Sequence, residues 1–540
     1  MRCRKNSMGA IMNIIPRPLH YVIKEHAIKL GKSTKITGDF ADTVKFAKEF
    51  FASFEGGKGT SVKFVKDEYV AEEGYVISTD KSEESVTVSA STEAGAYYAL
   101  MTIEQSAYKD GQLHCTDFQD KPRYKHRGFM LDCARHFWTV EKIKEILEIM
   151  SRLKMNVFHW HLTDDQGWRA EIKKYPLLTQ KGSVRKSTPL SLKGYLRGKE
   201  PRDNTPYGEG CFYTQEQMRD IVAFAKERHI EIIPEIDMPG HMVAAIACYP
   251  HLSCRGEETE VSVRWGVMDN ILCCGKEEVY SFAKDIIDEL CEIFPGKYFH
   301  IGGDEVPKAR WQKCPLCQAK IKEENLKDVN ALQGYFNNVI AEYLKSKGKA
   351  MIGWNEILDA HDIMDKDIIA QWWTRRKGDK NEFAWMEKGG KIVISMVNYV
   401  YMDHPYNVRP LSKTYSLTAE KLGVMNENNV VGMEIPQWTE YIREVDKLDM
   451  LTMARLTAFS EVCWTPAEKR NYNDFEQRLE ASREYLDGIK CRICPQAIYS
   501  GKTHPRLKFT CASKWNLWRV YPDYEFDEMK KMLAHKDSEK

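Results

Sequence analysis

Residues 127–162 read RGFMLDCARHFWTVEKIKEILEIMSRLKMNVFHWHL. Two short apolar runs, 127–134 and 156–162, flank a segment in which Ile143, Ile146, Leu147, Met150 and Leu153 recur every three to four positions. That spacing predicts a helix over 140–155 with one buried face. Downstream the same rhythm continues, with apolar runs at 231–237, 298–305, 349–356, 368–373, 391–397 and 430–440, which brings the runs to eight. Before the fourth run, Val279, Phe282, Ile286, Leu290 and Ile293 again mark a helical face. Eight strand–helix alternations are what a (β/α)8 TIM barrel requires, and its strands read as nearly continuous apolar runs because both faces are buried. A doubly wound open sheet is the competing architecture, but no glycine-rich phosphate loop follows the first strand.

Upstream, strand-like runs at 75–79 and 85–89 and a helical stretch at 92–107 indicate a small α+β domain, closed by a polar connector at 117–123 that contains Pro122. The expected organisation is therefore an N-terminal α+β domain (1–122), a barrel (123–490) that ends in a helix at 474–489, and a C-terminal extension (491–540). The long connection at 179–213 carries Lys181, Arg185, Lys186, Lys193, Arg197, Lys199 and Arg202 and reads as a solvated surface loop, with a lid or a contact to acidic glycans as the lesser alternatives.

With 79 Lys and Arg against 78 Asp and Glu, the 540-residue chain carries a net charge of +1. It has no overall field to concentrate on polyphosphate, so nucleic acid is not an expected partner. A neutral substrate suits it better, and 13 Trp and 26 Tyr supply flat amphipathic rings able to cover a sugar face. No run approaches the roughly 18 apolar residues that span a bilayer, so no membrane is expected. The basic start at Arg2, Arg4 and Lys5 precedes an apolar stretch at 8–15 broken by Asn13, without a clear small-residue cleavage site. A cytoplasmic location is expected, with the periplasm or secretion as the alternative. Fifteen cysteines, two of them adjacent at Cys273 and Cys274, do not resemble a disulfide framework and read as reduced thiols. Cys314-Pro-Leu-Cys317 and Cys491-Arg-Ile-Cys494 could make a four-sulfur zinc site only if folding joined them, since their separation far exceeds that of a zinc ribbon. No metal or cofactor is expected for the chemistry.

Most runs end in polar or aromatic residues, among them Asp132, Thr163-Asp-Asp165, Glu235-Ile-Asp237, Asp304-Glu305, Asn355-Glu356, Trp372-Trp373 and Trp438-Thr-Glu440. A single acid of this kind is commonly a helix cap. In a barrel, however, these ends share one rim, where active sites sit. The adjacent carboxylates of His300-Ile-Gly-Gly-Asp-Glu305 close the fourth run. Side chains alternate across a strand, so neighbours are poorly placed to face each other over a scissile bond as the two acids of an ordinary retaining glycosidase do, about 5 Å apart. Adjacency becomes useful if one carboxyl protonates the leaving oxygen while the other binds a group on the same sugar. An ionised Asp304 would then raise the pKa of Glu305 and favour the protonated acid.

His300-Ile-Gly-Gly-Asp-Glu305, Arg127-Gly-Phe-Met-Leu-Asp132, Trp160-His-Leu-Thr-Asp-Asp-Gln-Gly-Trp168 and Pro234-Glu-Ile-Asp-Met-Pro-Gly-His241 occur in the order found in glycoside hydrolase family 20, the β-N-acetylhexosaminidases, which the chain resembles over about residues 13–470. The resemblance implies an exo-acting enzyme that removes terminal β-linked GlcNAc or GalNAc from glycans. It implies Glu305 as acid/base, and Asp304 as the group that orients the acetamido nitrogen while its carbonyl oxygen attacks the anomeric carbon, forming an oxazolinium ion. It further implies that Asp237 holds His241, which steadies the acid, and that Asp164 and Asp165 join the polar network around Asp304 and the sugar. Arg127 and Glu440 are expected to clamp sugar hydroxyls. Trp354, Trp373 and Trp438 would form an aromatic wall; of the adjacent Trp372 and Trp373, the offset from Arg375 favours the latter. In Tyr401-Met-Asp403, Tyr401 would bond the acetamido oxygen and Asp403 a hydroxyl. The oligomeric state is left open, with a homodimer among the states allowed.

Two rivals remain. His159-Trp-His161 mimics the metal pair of an amidohydrolase, but it lies on the second run and lacks the later His and Lys ligands. A glycan-binding protein that has kept the pocket but lost turnover would be expected to lack the acid, and Glu305 is present.

Overall fold

The computed structural model describes residues 13–189, 202–203, 207–375, 379–501, 526 and 529–532. Eight parallel strands form its centre: His126–Asp132, Val157–Asp164, Glu231–Ile236, Tyr298–His300, Ala350–Trp354, Ile369–Trp372, Lys391–Ile394 and Val430–Gln437. Each pairs with the next, and the last returns to the first with Met433 opposite Arg127, so the sheet closes into a barrel without free edges. All eight runs read from the sequence are these strands. The difference lies at several C-terminal ends: the fourth strand stops at His300, before Asp304, and the eighth at Gln437, whereas the second runs on to Asp164.

The crossover helix Val140–Arg152 starts where Thr139 accepts a hydrogen bond from the Lys142 amide, as an N-cap does. Ile143, Ile146, Leu147, Met150 and Leu153 are all buried. The segment expected as one helix at 474–489 is two, Tyr472–Ala481 and Arg483–Gly488, and Cys491, Cys494, Ile498 and Tyr499 pack into the same core as the barrel. The described start of the C-terminal extension is thus part of the barrel's packing.

Inside the barrel, Val157, Ile233, Ile352, Ile369 and Val393 form an apolar floor. The buried ionic layer inside the barrel has no counterpart in the sequence reading. His161 Nδ1 lies 2.5 Å and His300 Nδ1 3.1 Å from the Glu235 carboxylate, while His159 Nδ1 lies 2.7 Å and His126 Nε2 3.0 Å from that of Glu434. Trp354 Nε1 donates to Glu235 at 2.8 Å and Gln371 to Glu434 at 2.6 Å. Buried carboxylates survive only when paired and hydrogen-bonded in this way. His159 and His161 thus point their imidazoles at carboxylates of this layer.

The N-terminal domain is a six-stranded sheet in the order His20–Lys29, Gln112–Asp120, Tyr75–Asp80, Ser85–Ala90, Ser61–Lys66, Lys35–Gly38, covered by helices Ala41–Phe51 and Glu93–Ala107. It docks at the barrel's N-terminal rim, and this relocates Arg127. Arg127, second in its strand, lies at that rim, fully buried, with both terminal nitrogens 2.8 Å from Glu73 and with Tyr98 and Trp464 against its guanidinium. It is an interdomain tie and not a sugar clamp, because a residue that opens a barrel strand lies at the end opposite the catalytic rim.

Candidate active site

The fourth strand gives way to Ile301-Gly-Gly-Asp-Glu305, where the backbone turns through positive φ at Gly302 (66°), Gly303 (89°) and Glu305 (49°). A Cβ on Gly302 would stand 1.9 Å from Asp237 Oδ1, so glycine is needed for this close approach. The left-handed Glu305 removes the strand alternation that would have separated the two acids. One oxygen each of Asp304 and Glu305 and one nitrogen of His241 lie within 4.8 Å of one another. A strained non-glycine backbone in such a position is characteristic of functional sites, and His241, at φ 49°, shares it.

The two carboxyls differ in surroundings. Asp304 is buried, whereas the Glu305 side chain is 42% exposed. Burial lifts the Asp304 pKa to about 6, with His241 opposing and the Glu305 charge adding to the rise. His241 Nε2 stands 3.9 Å from Asp304 and 3.8 Å from Glu305, facing both. Its Nδ1 is held by Asp164 at 3.2 Å and Asp165 at 3.3 Å. Burial alone would favour neutral imidazole, but Asp164 and Asp237 hold His241 well above the usual histidine range, so it is an imidazolium. Both ring nitrogens then carry protons and neither offers a lone pair to a cation.

The carboxylates that bond the imidazole are Asp164 and Asp165, both buried behind it, which places them in the polar network around Asp304. Asp237 instead accepts the Gly303 amide at 3.1 Å, and burial first, then Asp304, pushes its pKa far up. Buried beneath the turn, Asp237 fixes the loop that carries Asp304.

The cation that the sequence reading assigned to Arg127 is supplied at the catalytic rim by Arg135. Asp132 Oδ1 accepts the Ala134 and Arg135 amides at 2.9 and 3.1 Å, a local turn that brings the guanidinium back over the strand end. Arg135 then bonds Asp132 at 3.2 Å, Asp164 at 2.7 Å and Gln166 at 2.9 Å, lies over the Trp438 ring at 5.0 Å and feels the charge of Glu440. The signal was an acid ending a strand with an arginine three residues on. Arg185, expected in a solvated loop, is buried and donates to the Arg135 carbonyl at 2.7 Å. Lys193, Arg197 and Lys199 lie outside the described residues.

The remaining rim is aromatic. Trp354 and Trp438 are 5.7 Å apart between ring centroids, and Trp438 bonds the Tyr401 hydroxyl. Tyr401 stacks on Trp373 at 5.7 Å and 20°. Trp373 Nε1 donates to Glu356 at 2.8 Å, which brings in an acid that the sequence reading had named only as a strand end. Trp372 is buried against Phe383 on the other side of its strand. Asp403, held by His404 at 3.3 Å, stands two residues beyond Tyr401.

Residues 124–467 match the model for the glycosyl hydrolase family 20 catalytic domain, and residues 11–121 match that for the family's domain 2. The chain belongs to glycosyl hydrolase family 20. A beta-hexosaminidase of Porphyromonas gingivalis is 34% identical, with 97% of this chain and 70% of that protein covered. Among solved structures, the family 20 exo beta-N-acetylglucosaminidase of Vibrio harveyi in complex with N-acetylglucosamine is 29% identical with a TM-score of 0.79, covering 90% of this chain and 79% of that one. The beta-N-acetylhexosaminidase of Bacteroides fragilis is 28% identical with a TM-score of 0.77, covering 94% and 99%. These likenesses span both domains, so the family 20 assignment takes in the interdomain tie at Arg127 as well as the rim.

Proposed function

We propose that this chain is an exo-β-N-acetylhexosaminidase that hydrolyses terminal non-reducing β-linked GlcNAc or GalNAc by substrate-assisted, retaining catalysis. The observation that carries the reading is the pairing of Asp304 and Glu305 on one turn, both facing the His241 imidazolium beside an aromatic enclosure. Two carboxyls this close would also fit a protein nucleophile across a bond. Arising from one turn, however, they reach the same end of one ring, which suits a division between leaving oxygen and acetamido group.

In the first step the Glu305 carboxyl gives its proton to the glycosidic oxygen as the C1–O bond breaks. The acetamido carbonyl oxygen forms the new bond to C1, and ionised Asp304 accepts the N–H of the resulting oxazolinium and offsets its charge. In the second step water loses a proton to Glu305 and adds to C1 from the face the aglycone left, which restores the acetamide and the β configuration. Trp354, Trp373 and Trp438 enclose the acetamido methyl and the ring, and Tyr401 donates to the carbonyl oxygen. Arg135, Glu440 and Asp403 hold the hydroxyls at the closed end, so only a chain terminus fits.

With p-nitrophenyl β-GlcNAc as substrate, Glu305→Gln and Asp304→Asn are each expected to lower kcat by about 10²- to 10⁴-fold. A thiazoline mimic of the oxazolinium should inhibit competitively. Equal turnover of a glucoside lacking the acetamido group, or a trapped covalent sugar ester on the protein, would overturn the mechanism.

A further inference from the structure

Outside the active site, four cysteine sulfurs converge. Cys254, Cys273, Cys314 and Cys317 have all their Sγ atoms within 4.8 Å of one another. The closest separations are 3.5 Å (Cys273–Cys317), 3.7 Å (Cys273–Cys314) and 3.9 Å (Cys254–Cys317). A zinc ion with four thiolates at about 2.3 Å has tetrahedral edges of about 3.8 Å. We propose that these four residues form a tetrathiolate zinc site that staples two catalytic loops.

The chain is shaped around the cluster. Cys254 and Cys273 flank an antiparallel bridge of Ser253 with Leu272, and the Cys273 amide donates to the Leu252 carbonyl at 2.9 Å. Cys314 precedes helix Pro315–Glu323 and Cys317 lies in its first turn, so the helix N-terminus faces the thiolates and favours their negative charge. Gly275 lets the two segments meet, since a Cβ there would stand 2.3 Å from the Leu316 carbonyl carbon and 2.4 Å from the Cys317 nitrogen. Cys273, Cys314 and Cys317 are buried and Cys254 partly so. Four thiols gathered at separations near twice a disulfide bond lack the contact of a disulfide and have the spacing of a ligand shell.

Ligation involves no redox change: Zn²⁺ enters, the thiol protons leave to solvent, and four S–Zn bonds form. One half of the cluster is tied through the Leu272 amide to the Pro239 carbonyl at 3.0 Å, two residues before His241. The other half follows Glu305 through the short helix Ala309–Lys313. The ion would therefore fix the spacing of the loops that bring His241 to Asp304 and Glu305. The second Cys-x-x-Cys pair takes no part: Cys491 lies on Thr457 in the C-terminal packing, 3.6 Å away.

Elemental analysis of the full chain, purified without chelator, should find one zinc per chain. Replacement by Co²⁺ should give the thiolate charge-transfer and d–d bands of a tetrahedral sulfur site. The Cys254→Ser/Cys273→Ser variant should lose the metal and melt at a lower temperature. Should that variant fail to fold, Cys254→His, which keeps a ligand, should retain one zinc with a shifted cobalt spectrum. Absence of metal from protein made in zinc-supplemented medium, disulfides among the four cysteines by mass spectrometry, or iron in place of zinc would each overturn the assignment. So would zinc retained in full by the folded double variant, which would put the ion elsewhere.

Discussion

Arg127 and Arg135 sit at opposite ends of one strand and its turn, and the fold gives them separate tasks. Arg127→Ala removes a buried ion pair to Glu73 and is expected to cost about 3 kcal/mol of stability while leaving KM for p-nitrophenyl β-GlcNAc near wild type. Arg135→Ala should instead lower kcat/KM by about 2 kcal/mol or more in transition-state terms, roughly 30-fold, through lost contacts to the sugar. Thermal melting and steady-state kinetics on the two variants separate the cases, and reversed phenotypes would restore the clamp to Arg127. Asp304 carries a pH prediction. Held near 6 by burial, it must be ionised to receive the acetamido N–H, so kcat/KM should fall as pH drops below about 6. The apparent value belongs to the interacting pair, and a profile flat down to pH 4 would exclude this role for Asp304. The acids of the catalytic turn were readable because they lie together in sequence at a strand end. Asp237 was legible as a neighbour of His241, but the direct bonds from Asp164 and Asp165 were not, because these two approach from a different strand, a proximity only the closed barrel creates. Arg127 was misplaced even though chain direction alone puts a residue at the start of a barrel strand on the rim opposite the active site.

At the level of elements, the eight strands were legible because each is buried on both faces and so spells an apolar run. Their ends were not, because where a ladder stops depends on glycine torsions and close approaches rather than on hydrophobicity. The turn after the fourth strand shows this. Gly302→Ala would place a methyl at φ 66° against the Asp237 carboxyl, shifting the loop that carries both acids. A fall in kcat of at least about tenfold with the fold retained by circular dichroism is expected, while unchanged turnover would mean that the turn has slack. On the crossover helix the expectation is the opposite. Ile146→Ala empties part of the core between helix and strands and should cost about 2 to 5 kcal/mol of stability, read by denaturant titration, with KM unaltered. The four-sulfur cluster was half visible in Cys314-Pro-Leu-Cys317, but its partners Cys254 and Cys273 are separated by a loop, and the adjacent Cys274 obscures which neighbour points inward.

Taken whole, the molecule is a closed barrel with a second domain locked to its lower rim by buried charge. Arg127 reaches Glu73, Lys154 reaches Tyr75 and Thr102, and Trp464 from the barrel donates to Asp120 at 3.0 Å and joins the apolar core of the N-terminal domain. Neither domain can leave without exposing unpaired charge. Scanning calorimetry should therefore show one unfolding transition for both, and two resolved transitions would refute the coupling. The histidine–glutamate layer inside the barrel has a further consequence for traffic through the site. With the barrel interior plugged by fixed ion pairs, nothing passes through the molecule, and whatever enters deepest must back out last. The shortened glycan therefore departs first, before water arrives at C1, and the freed monosaccharide is the final passenger.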